Sequence, residues 1–142
     1  MRITTKGRYG LKVMIDLAQH SSDNYISLKD ISGRLNITIK YLEQIVTPLN
    51  KAGFLDSMRG NNGGHRLARP ASEYIIGDIL RVMEGDLAPI ECLAGSEIEC
   101  PLQDSCVTLP FWKGLDKAVN DYVDSFTLQD LLDQQLEINK LT

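Results

Sequence analysis

TIKYLEQIVTPLNKAGFLDSMRGNNGGHRLAR, residues 38–69, decides the fold of this chain. Its first part predicts an amphipathic helix capped by Thr38, because apolar side chains recur at i, i+3, i+4 and i+7. These apolar positions are Leu42, Ile45, Val46 and Leu49. The outer face then carries Lys40, Glu43, Gln44, Thr47 and Lys51. Pro48 has no N–H to donate, so we expect the helix to kink or tighten near residues 44–47.

The second part of the stretch predicts a β-hairpin. Short strands flank the run Gly60-Asn61-Asn62-Gly63-Gly64, whose tip requires positive φ angles. Arg59 and Arg66 stand on either side of that tip. A hairpin that directly follows a helix-turn-helix is a wing, and Pro70 closes the module.

Two further helices are predicted before this stretch. The first has Leu11, Met14, Ile15 and Ala18 on its apolar stripe, with Lys12, Asp16 and Gln19 between them, and residues 21–24 end it. Ser27 and Asp30 form a weak capping box for the second, whose stripe is Leu28, Ile31 and Leu35. Asn36 suits the left-handed residue that ends this helix. Because only two or three residues then lead to the next helix, the pair predicts a helix-turn-helix.

The remainder of the chain is also predicted to be helical, apart from one irregular stretch. A fourth helix carries Ile76, Ile79, Leu80 and Met83 and ends at Gly85. Periodicity is lost between residues 87 and 109. A heptad seam follows at Trp112, Leu115, Val119, Tyr122 and Phe126. Thr127 with Asp130 begins a last helix that carries Leu128, Leu131 and Leu132.

These patterns predict a mainly α fold in three parts. Residues 1–70 form a winged helix-turn-helix DNA-binding module with a two-stranded wing, and residues 71–106 form a linking helix and a cysteine loop. Residues 107–142 form a long dimerisation helix and a C-terminal helix. The aromatic seam packs either on its own domain or on the same helix of a second chain. So small a chain has little core left to cover it, which favours a homodimer.

Composition excludes several classes of protein. The chain has 142 residues, 43% hydrophobic and 24% charged, which is near the globular average and argues against disorder. Its longest apolar runs are a few residues, whereas a bilayer-spanning helix needs about 20, so no membrane partner is expected. No secretory h-region follows the basic start. We therefore expect a cytoplasmic protein, whose three cysteines lie in a reducing compartment that disfavours structural disulfides.

The charge is divided unevenly along the chain. The overall net charge is −4, but residues 1–70 hold eleven Lys and Arg against five Asp and Glu, a net charge of +6. Residues 71–142 hold four against fourteen, a net charge of −10. A cationic surface suits phosphate binding because each Lys or Arg near a phosphate releases condensed counterions. The amino-terminal half is therefore the expected site for double-stranded DNA.

The recognition helix and the wing supply candidate DNA contacts. Gln44 can pair with adenine, Lys40 can reach guanine or phosphate, and Thr38 and Tyr41 can reach phosphate. Phosphate would repel Glu43, so it either accepts from cytosine N4 or penalises wrong sites. At the wing tip, Arg59 beside Gly60 is placed to enter a narrow minor groove.

The three cysteines are the candidate sensor. Cys92, Cys100 and Cys106 have the spacing C-x7-C-x5-C in the irregular stretch. Iron–sulfur clusters are held by cysteines, sometimes with another residue in place of one thiolate, and structural zinc also accepts three cysteines plus one other ligand. Free thiols are the third alternative. His20 and His65 lie far away in sequence, so the local options for a fourth ligand are Glu91, Glu97, Glu99 and Asp104.

The chain resembles the IscR, NsrR and CymR type of winged helix-turn-helix transcription regulator over essentially its whole length. The resemblance is carried by residues 1–10, 41–44, 59–60 with 63–64, 76–79 and the three cysteines that precede Trp112. It implies a homodimeric repressor or activator whose long helix crosses to the partner chain. In IscR-like members three cysteines hold a 2Fe–2S cluster, and cluster loading changes which DNA sites are bound. The implied ligands are Cys92, Cys100 and Cys106, and the implied DNA contacts are Thr38, Lys40, Tyr41, Gln44 and Arg59, with Glu43 as discriminator.

The chain departs from its relatives at the fourth ligand. IscR has a His three residues after its third cysteine, where this chain has Leu109, and other relatives use a first-helix acid or His, where it has Arg8 and Lys12. CymR-type members lack the cysteines, so the loop favours a cluster sensor over a CymR-like regulator of cysteine metabolism.

Alternatives to a cluster-sensing regulator remain at this stage. The same DNA-binding protein could carry a zinc, thiol-redox or nitric-oxide-responsive loop. The chain could instead be a small electron carrier or enzyme that uses the winged module for protein contacts. No nucleophile–base constellation is evident, so we expect neither catalysis nor a small-molecule substrate.

Overall fold

A computed structural model describes residues 2–20, 23–95, 97 and 100–141 of the chain. In this part it contains six α-helices and one two-stranded antiparallel sheet, which confirms the predicted mainly α winged helix-turn-helix fold. The helices are α1 (Thr5–His20), α2 (Leu28–Leu35), α3 (Ile39–Lys51), α4 (Ile76–Glu84), α5 (Leu109–Val123) and α6 (Leu128–Leu141). The strands are β1 (Leu55–Met58) and β2 (Gly64–Leu67), and short 3-10 turns lie at Ala71–Glu73 and Glu91–Leu93.

The predicted caps of the two helices in the helix-turn-helix are confirmed. Ser27 caps α2 by accepting a hydrogen bond from the Asp30 N–H at 3.1 Å, and Thr38 caps α3 by accepting from the Tyr41 N–H at 3.2 Å. Between the two helices Asn36 adopts the left-handed conformation, with φ 56° and ψ 46°. This conformation ends α2 and reverses the chain within a few residues, which makes the helix-turn-helix. Helix α1 extends to His20, and of residues 21–24, which were predicted to end it, 21 and 22 lie outside the described residues.

The third helix is uninterrupted. It remains α-helical from Ile39 to Lys51 with Pro48 inside it, so the expected tightening of the helix before Pro48 was wrong. The Thr47 hydroxyl donates to the Glu43 carbonyl at 2.6 Å one turn earlier. The four predicted apolar positions are all buried, because they form one stripe against the core.

The first helix is buried on a different line from the predicted one. Its fully buried apolar residues are Val13, Met14 and Leu17, whereas Leu11, Ile15 and Ala18 are half-buried against the same core. Asp16 was predicted on the outer face and is 3% exposed. An Arg34 ion pair explains this burial, since a carboxylate is buried at tolerable cost when it is paired and hydrogen-bonded.

One hydrophobic core extends along most of the chain. It joins residues of α1, α2, α3, β1 and α4 with Leu87 and with Leu128 of α6. Thr127 and Asp130 cap α6 reciprocally: the Asp130 N–H donates to the Thr127 hydroxyl at 3.2 Å and the Thr127 N–H donates to Asp130 Oδ2 at 2.8 Å. Leu128 lies in the same core as residues of α1, so packing continues across residue 70 and the three-part division stays a proposal.

The long helix α5 is shorter than the heptad pattern indicated. It ends at Val123, and Phe126 lies in the turn before α6. Val119, Val123 and Phe126 pack against the core, whereas Tyr122 is 67% exposed. The predicted seam is therefore divided between the chain's own core and an open face.

Candidate nucleic-acid interface and cysteine loop

The recognition helix presents a polar outer face. Lys40, Glu43, Gln44, Thr47 and Lys51 are all exposed on α3. Thr38, also exposed, uses its hydroxyl oxygen to cap the helix, which leaves its O–H free to donate. Tyr41 is half-buried and its ring packs edge-on against Tyr9 of α1, with centroids 6.0 Å apart.

A lysine from another helix joins this face. Lys6 of α1 lines a shallow groove together with Lys40, Glu43, Gln44, Thr47, Pro48 and Lys51. The sequence reasoning did not select Lys6, because its pairing with α3 depends on how α1 packs beside the recognition helix. The only sequence signal was the basic start of the chain. The groove therefore carries three lysines and one carboxylate on a single surface.

The wing presents Arg59 at an open tip. Strands β1 and β2 pair from Leu55 with Leu67 to Met58 with Gly64, and the loop between them holds Arg59 and Gly60. Gly60 has a φ of 111° and Gly64 a φ of 153°, conformations that L side chains rarely adopt. The Gly63 N–H donates to the Gly60 carbonyl at 3.0 Å, which makes the tip compact. Arg59 is exposed there.

Arg66 flanks the tip from within strand β2, where it is the cross-strand partner of Asp56. Its guanidinium lies 4.4 Å from the centre of the Tyr25 ring and donates to the Asp23 carbonyl at 2.7 Å. The cross-strand partner Asp56 is 3.8 Å away. Arg66 therefore holds the wing to the connection between α1 and α2, and Arg59 is the tip residue.

The three cysteines occupy the irregular stretch between α4 and α5. Cys92 lies in the 3-10 turn Glu91–Leu93, and Cys106 lies three residues before α5 begins. All three are free and half-buried. Asp86 closes the first part of the loop, because its carboxylate accepts from the Ala88 N–H at 2.5 Å and the Gly95 N–H at 3.0 Å. These hydrogen bonds lower the pKa of Asp86.

Cys106 has a distinct chemical environment. Its Sγ lies 3.4 Å from the Thr108 hydroxyl oxygen. Hydrogen bonds from the Thr108 side chain and then from the Thr108 and Leu109 backbone lower the pKa of the Cys106 thiol. The thiolate is the form that binds metals.

The donor set suits an iron–sulfur cluster in type but not in arrangement. Cysteine thiolates are the usual ligands of such a cluster, commonly four of them, and this loop supplies three. Among the residues that the structure describes, however, no three His, Cys, Asp or Glu side chains come together as a metal site. Leu109 is buried, while Arg8 and Lys12 are exposed on α1, so these positions offer no fourth ligand. Of the carboxylate candidates, Glu99 lies outside the described residues.

Helix α4 links the cysteine loop to α1 of the DNA-binding module. Its last residue, Glu84, accepts from the Thr4 N–H at 3.0 Å and the Thr4 hydroxyl at 2.6 Å, where α1 begins. One turn earlier, Arg81 donates to both carboxylate oxygens of Asp124, at 2.8 and 2.9 Å, and to Asn120 Oδ1 at 2.7 Å. The helix that leads into the loop therefore contacts both α1 and the end of α5.

Helix α5 has an open aromatic face. Phe111 and Tyr122 are each 67% exposed, and Phe111 packs edge-on against Trp112 with centroids 5.0 Å apart. Large apolar surfaces in a small chain mark interaction sites.

None of the helices in the described ranges has the length and apolar character needed to cross a bilayer.

Comparison with known proteins gives consistent matches along the chain. Residues 3–134 match the Rrf2 family, described as iron-dependent transcriptional regulators. The chain is 41% identical over 131 residues to the HTH-type transcriptional regulator CymR of Bacillus subtilis, covering 92% of this chain and 89% of CymR.

Two solved structures share both sequence and fold with the chain. The structure of CymR, the global cysteine regulator of B. subtilis, has a TM-score of 0.75 at 40% identity and covers 94% of this chain and 98% of that one. The structure of T. potens IscR has a TM-score of 0.74 at 37% identity, with coverages of 95% and 88%. A regulator named for cysteine and one named IscR are thus about equally similar to it in fold.

Proposed function

The chain belongs to the Rrf2 family of transcriptional regulators, which are not enzymes, and we propose that it binds double-stranded DNA as a homodimer and senses iron–sulfur status through its cysteine loop. The single observation that carries the DNA-binding part is the joint exposure of a polar recognition helix and of Arg59 on one module. The two elements suit the major and the minor groove, respectively. The electron-carrier or enzyme alternative is set aside, because the family consists of regulators.

Each candidate contact residue has a role that its chemistry supports. Gln44 pairs with adenine, Lys40 reaches guanine or phosphate, and Glu43 discriminates against wrong sites. Thr38 and Tyr41 contact phosphates, and Lys6 adds a phosphate contact from α1. Arg59, held beside Gly60 at the wing tip, enters a narrow minor groove.

The DNA contacts are tested on a duplex selected from a randomised pool by repeated binding. The logarithm of the affinity should fall linearly with the logarithm of salt concentration, because phosphate contacts release counterions. Arg59→Ala should weaken binding by about 1–3 kcal/mol, the scale of a specific contact. Lys113→Ala, an exposed lysine of α5, is the control. A loss for Arg59→Ala no larger than for Lys113→Ala would reject the minor-groove role.

The homodimer proposal is supported by the open face of α5. Phe111 and Tyr122 project from a helix whose other side packs on the core. A second copy of the same face would cover both, as isologous dimers do. Tyr122→Lys should convert the dimer to a monomer in sedimentation velocity, whereas Lys117→Glu on the exposed polar side should not. A monomeric parent protein at micromolar concentration would contradict the proposal.

The sensing part rests on the donor set and on the family. Cys92, Cys100 and Cys106 would hold a 2Fe–2S cluster, and the family is described as iron-dependent. Such a cluster supplies one-electron redox chemistry and changes the charge of the loop. The chain's own contribution is to deliver three half-buried thiols on one loop, with Cys106 held in a setting that favours its thiolate. Holding a cluster requires the loop to bring these thiols together.

The cluster is tested by iron and acid-labile sulfide content after purification without air. Each of Cys92→Ala, Cys100→Ala and Cys106→Ala should lose most of the iron and of the visible absorption, whereas Ser105→Ala should keep both. Parent-level occupancy in any one cysteine variant would refute that ligand. Iron-free parent protein with no charge-transfer absorption would refute the cluster itself.

A second candidate is a regulator of the CymR kind, or one with a zinc or thiol-redox loop. The separation of the three thiols among the described residues and the 41% identity to CymR favour it. The same metal analysis distinguishes these readings: zinc without sulfide supports the zinc loop. Metal-free protein whose DNA affinity changes on thiol oxidation supports the redox loop.

A further inference from the structure

A cluster of three polar side chains joins the wing to the recognition helix. Asn50 lies near the end of α3, and Ser57 of β1 is the cross-strand partner of His65 of β2. The Ser57 hydroxyl oxygen is 2.6 Å from Asn50 Oδ1 and 2.7 Å from His65 Nδ1. Asn50 Nδ2 is 3.3 Å from the same ring nitrogen. We call Asn50, Ser57 and His65 the wing clamp.

One arrangement of protons satisfies both short contacts of the wing clamp. His65 Nδ1–H donates to the Ser57 oxygen, and the Ser57 O–H donates to Asn50 Oδ1, since a hydroxyl can donate once while it accepts. This arrangement leaves the 3.3 Å contact unused. It runs as a continuous chain of hydrogen bonds from the second wing strand to the recognition helix.

The opposite face of the wing is attached to a different part of the chain. Side chains alternate between the two faces of a strand, so the pair Asp56 and Arg66 faces away from the wing clamp. There, Arg66 contacts Tyr25 and the Asp23 carbonyl. The backbone of His65 also pairs with that of Ile26 through two hydrogen bonds of 2.8 Å. The wing clamp is thus a polar side-chain link between the wing strands and α3, beside the apolar packing of Leu55 in the core.

The compact tip transmits the orientation of the wing base to Arg59. Arg59 lies two positions after Ser57, a distance of about 7 Å along a strand. The Gly63–Gly60 hydrogen bond keeps the tip compact, so Arg59 moves with the strands. Contacts to groove edges require positions held to within roughly 0.5 Å. A small change of angle at the wing base therefore determines whether Arg59 fits.

We propose that the wing clamp is a positioning network that sets the angle between the wing and the recognition helix, so that Arg59 reaches the minor groove while α3 lies in the major groove. This inference rests on the proposed function, because it assumes the minor-groove role of Arg59. The wing clamp residues act through Arg59 and do not themselves read the DNA. They therefore determine specificity for sites that combine both groove features.

The test is a double-mutant cycle on DNA affinity, with the selected duplex as the probe. Ser57→Val and Ser57→Thr are matched in shape and differ in the hydroxyl, and both suit an exposed strand position. Ser57→Val should weaken binding about tenfold, the factor that corresponds to 1.4 kcal/mol, whereas Ser57→Thr should restore it. In the Arg59→Ala background, Ser57→Val should change affinity less than about twofold, because the two effects are coupled.

Two outcomes separate the wing clamp from the proposed function. If Arg59→Ala weakens binding but Ser57→Val costs the same factor with or without Arg59, the positioning role is overturned while the minor-groove role stands. If Arg59→Ala has no effect, both are overturned. Asn50→Ala, which removes the acceptor on α3, provides a second cycle and should show the same coupling. Thermal unfolding confirms that each variant is folded before its affinity is compared.

Discussion

The guanidinium of Arg34 meets the carboxylate of Asp16 through two contacts of 2.8 Å, from Nε to Oδ1 and from Nη2 to Oδ2. This bidentate pair joins α2 to α1, and the hydrogen bond to Asp16 raises the pKa of Arg34. The His20 ring nitrogen lies 3.5 Å from the same carboxylate. Because α2 is the first helix of the helix-turn-helix, the pair holds the helix-turn-helix to α1.

Removing Arg34 should strongly destabilise the fold. Arg34→Ala leaves the buried carboxylate of Asp16 without its main partner, and we expect a loss of about 2–4 kcal/mol in the free energy of unfolding, near the lower end because Arg34 is partly exposed. Urea unfolding at pH 7.5 measures it. Lys29→Ala on the exposed side of α2 should change stability by less than about 0.5 kcal/mol. Adding Asp16→Asn to Arg34→Ala should recover part of the loss, and a still larger loss would contradict this account.

Two glycines in helices should respond oppositely to alanine. An added Cβ at Gly33 of α2 meets no heavy atom within 4 Å, so Gly33→Ala should stabilise the protein by about 0.5–1 kcal/mol. At Gly10 of α1 the same Cβ would lie 2.7 Å from Met83 Cγ on α4. Gly10→Ala should therefore destabilise it, because the buried Met83 side chain, or α4 with it, must move away from α1. Thermal unfolding of the two variants measures both changes in stability. Changes in the same direction would contradict the close approach of α4 to α1.

The protein should become less stable at acid pH because of His65 in the wing. Burial lowers the pKa of His65, so the unfolded chain takes up a proton at a higher pH than the folded chain does. The contribution of neutral His65 is therefore complete above about pH 6.5 and is lost as the pH falls below that value, with a slope of at most about 1.4 kcal/mol per pH unit. Urea unfolding between pH 8 and 5.5 should show a steeper decline for the parent protein than for His65→Gln. If the free energy of unfolding declined equally in both proteins, the lowered pKa of His65 would be contradicted.

The contact between Glu84 and Thr4 should stabilise the start of α1. Glu84→Ala removes two hydrogen bonds and a negative charge from the amino-terminal end of that helix, so we expect a loss of about 1 kcal/mol. Glu84→Gln keeps an acceptor oxygen and should lose less. Glu73→Ala, on an exposed 3-10 turn, is the control in the same urea unfolding experiment. Equal stability of all three variants would show that the contact between Glu84 and Thr4 does not stabilise the start of α1.

Much of the DNA-binding module was predictable because its signals are local. A cap depends on residues three apart, as at Ser27 and Thr38, and an apolar stripe depends on a fixed helical period. The glycine run at residues 60–64 likewise identifies a turn whatever surrounds it. These features gave the helix-turn-helix, the wing and Arg59 at its tip, all of which the structure contains.

The sequence did not reveal contacts between residues that lie far apart along the chain. The helical period placed Asp16 among the polar positions between the apolar residues of α1, yet Arg34, eighteen residues later, accounts for its burial. The contacts of Arg66 with Tyr25 and the Asp23 carbonyl were not evident either, because Asp23 lies 43 residues earlier in the chain. Lys6 was not selected, because its place beside the recognition helix follows from the packing of α1.

The amino-acid sequence by itself determined the order of helices and strands, the capped helix-turn-helix and the three thiols of the loop, because each depends on spacing over a few residues. Only the tertiary structure decided which faces became buried, which cations share a groove, and that Asn50 meets Ser57 and His65. Those outcomes depend on contacts between segments distant in sequence. Burial and hydrogen bonding at those contacts depend on how the whole core packs. A local sequence pattern does not contain that information.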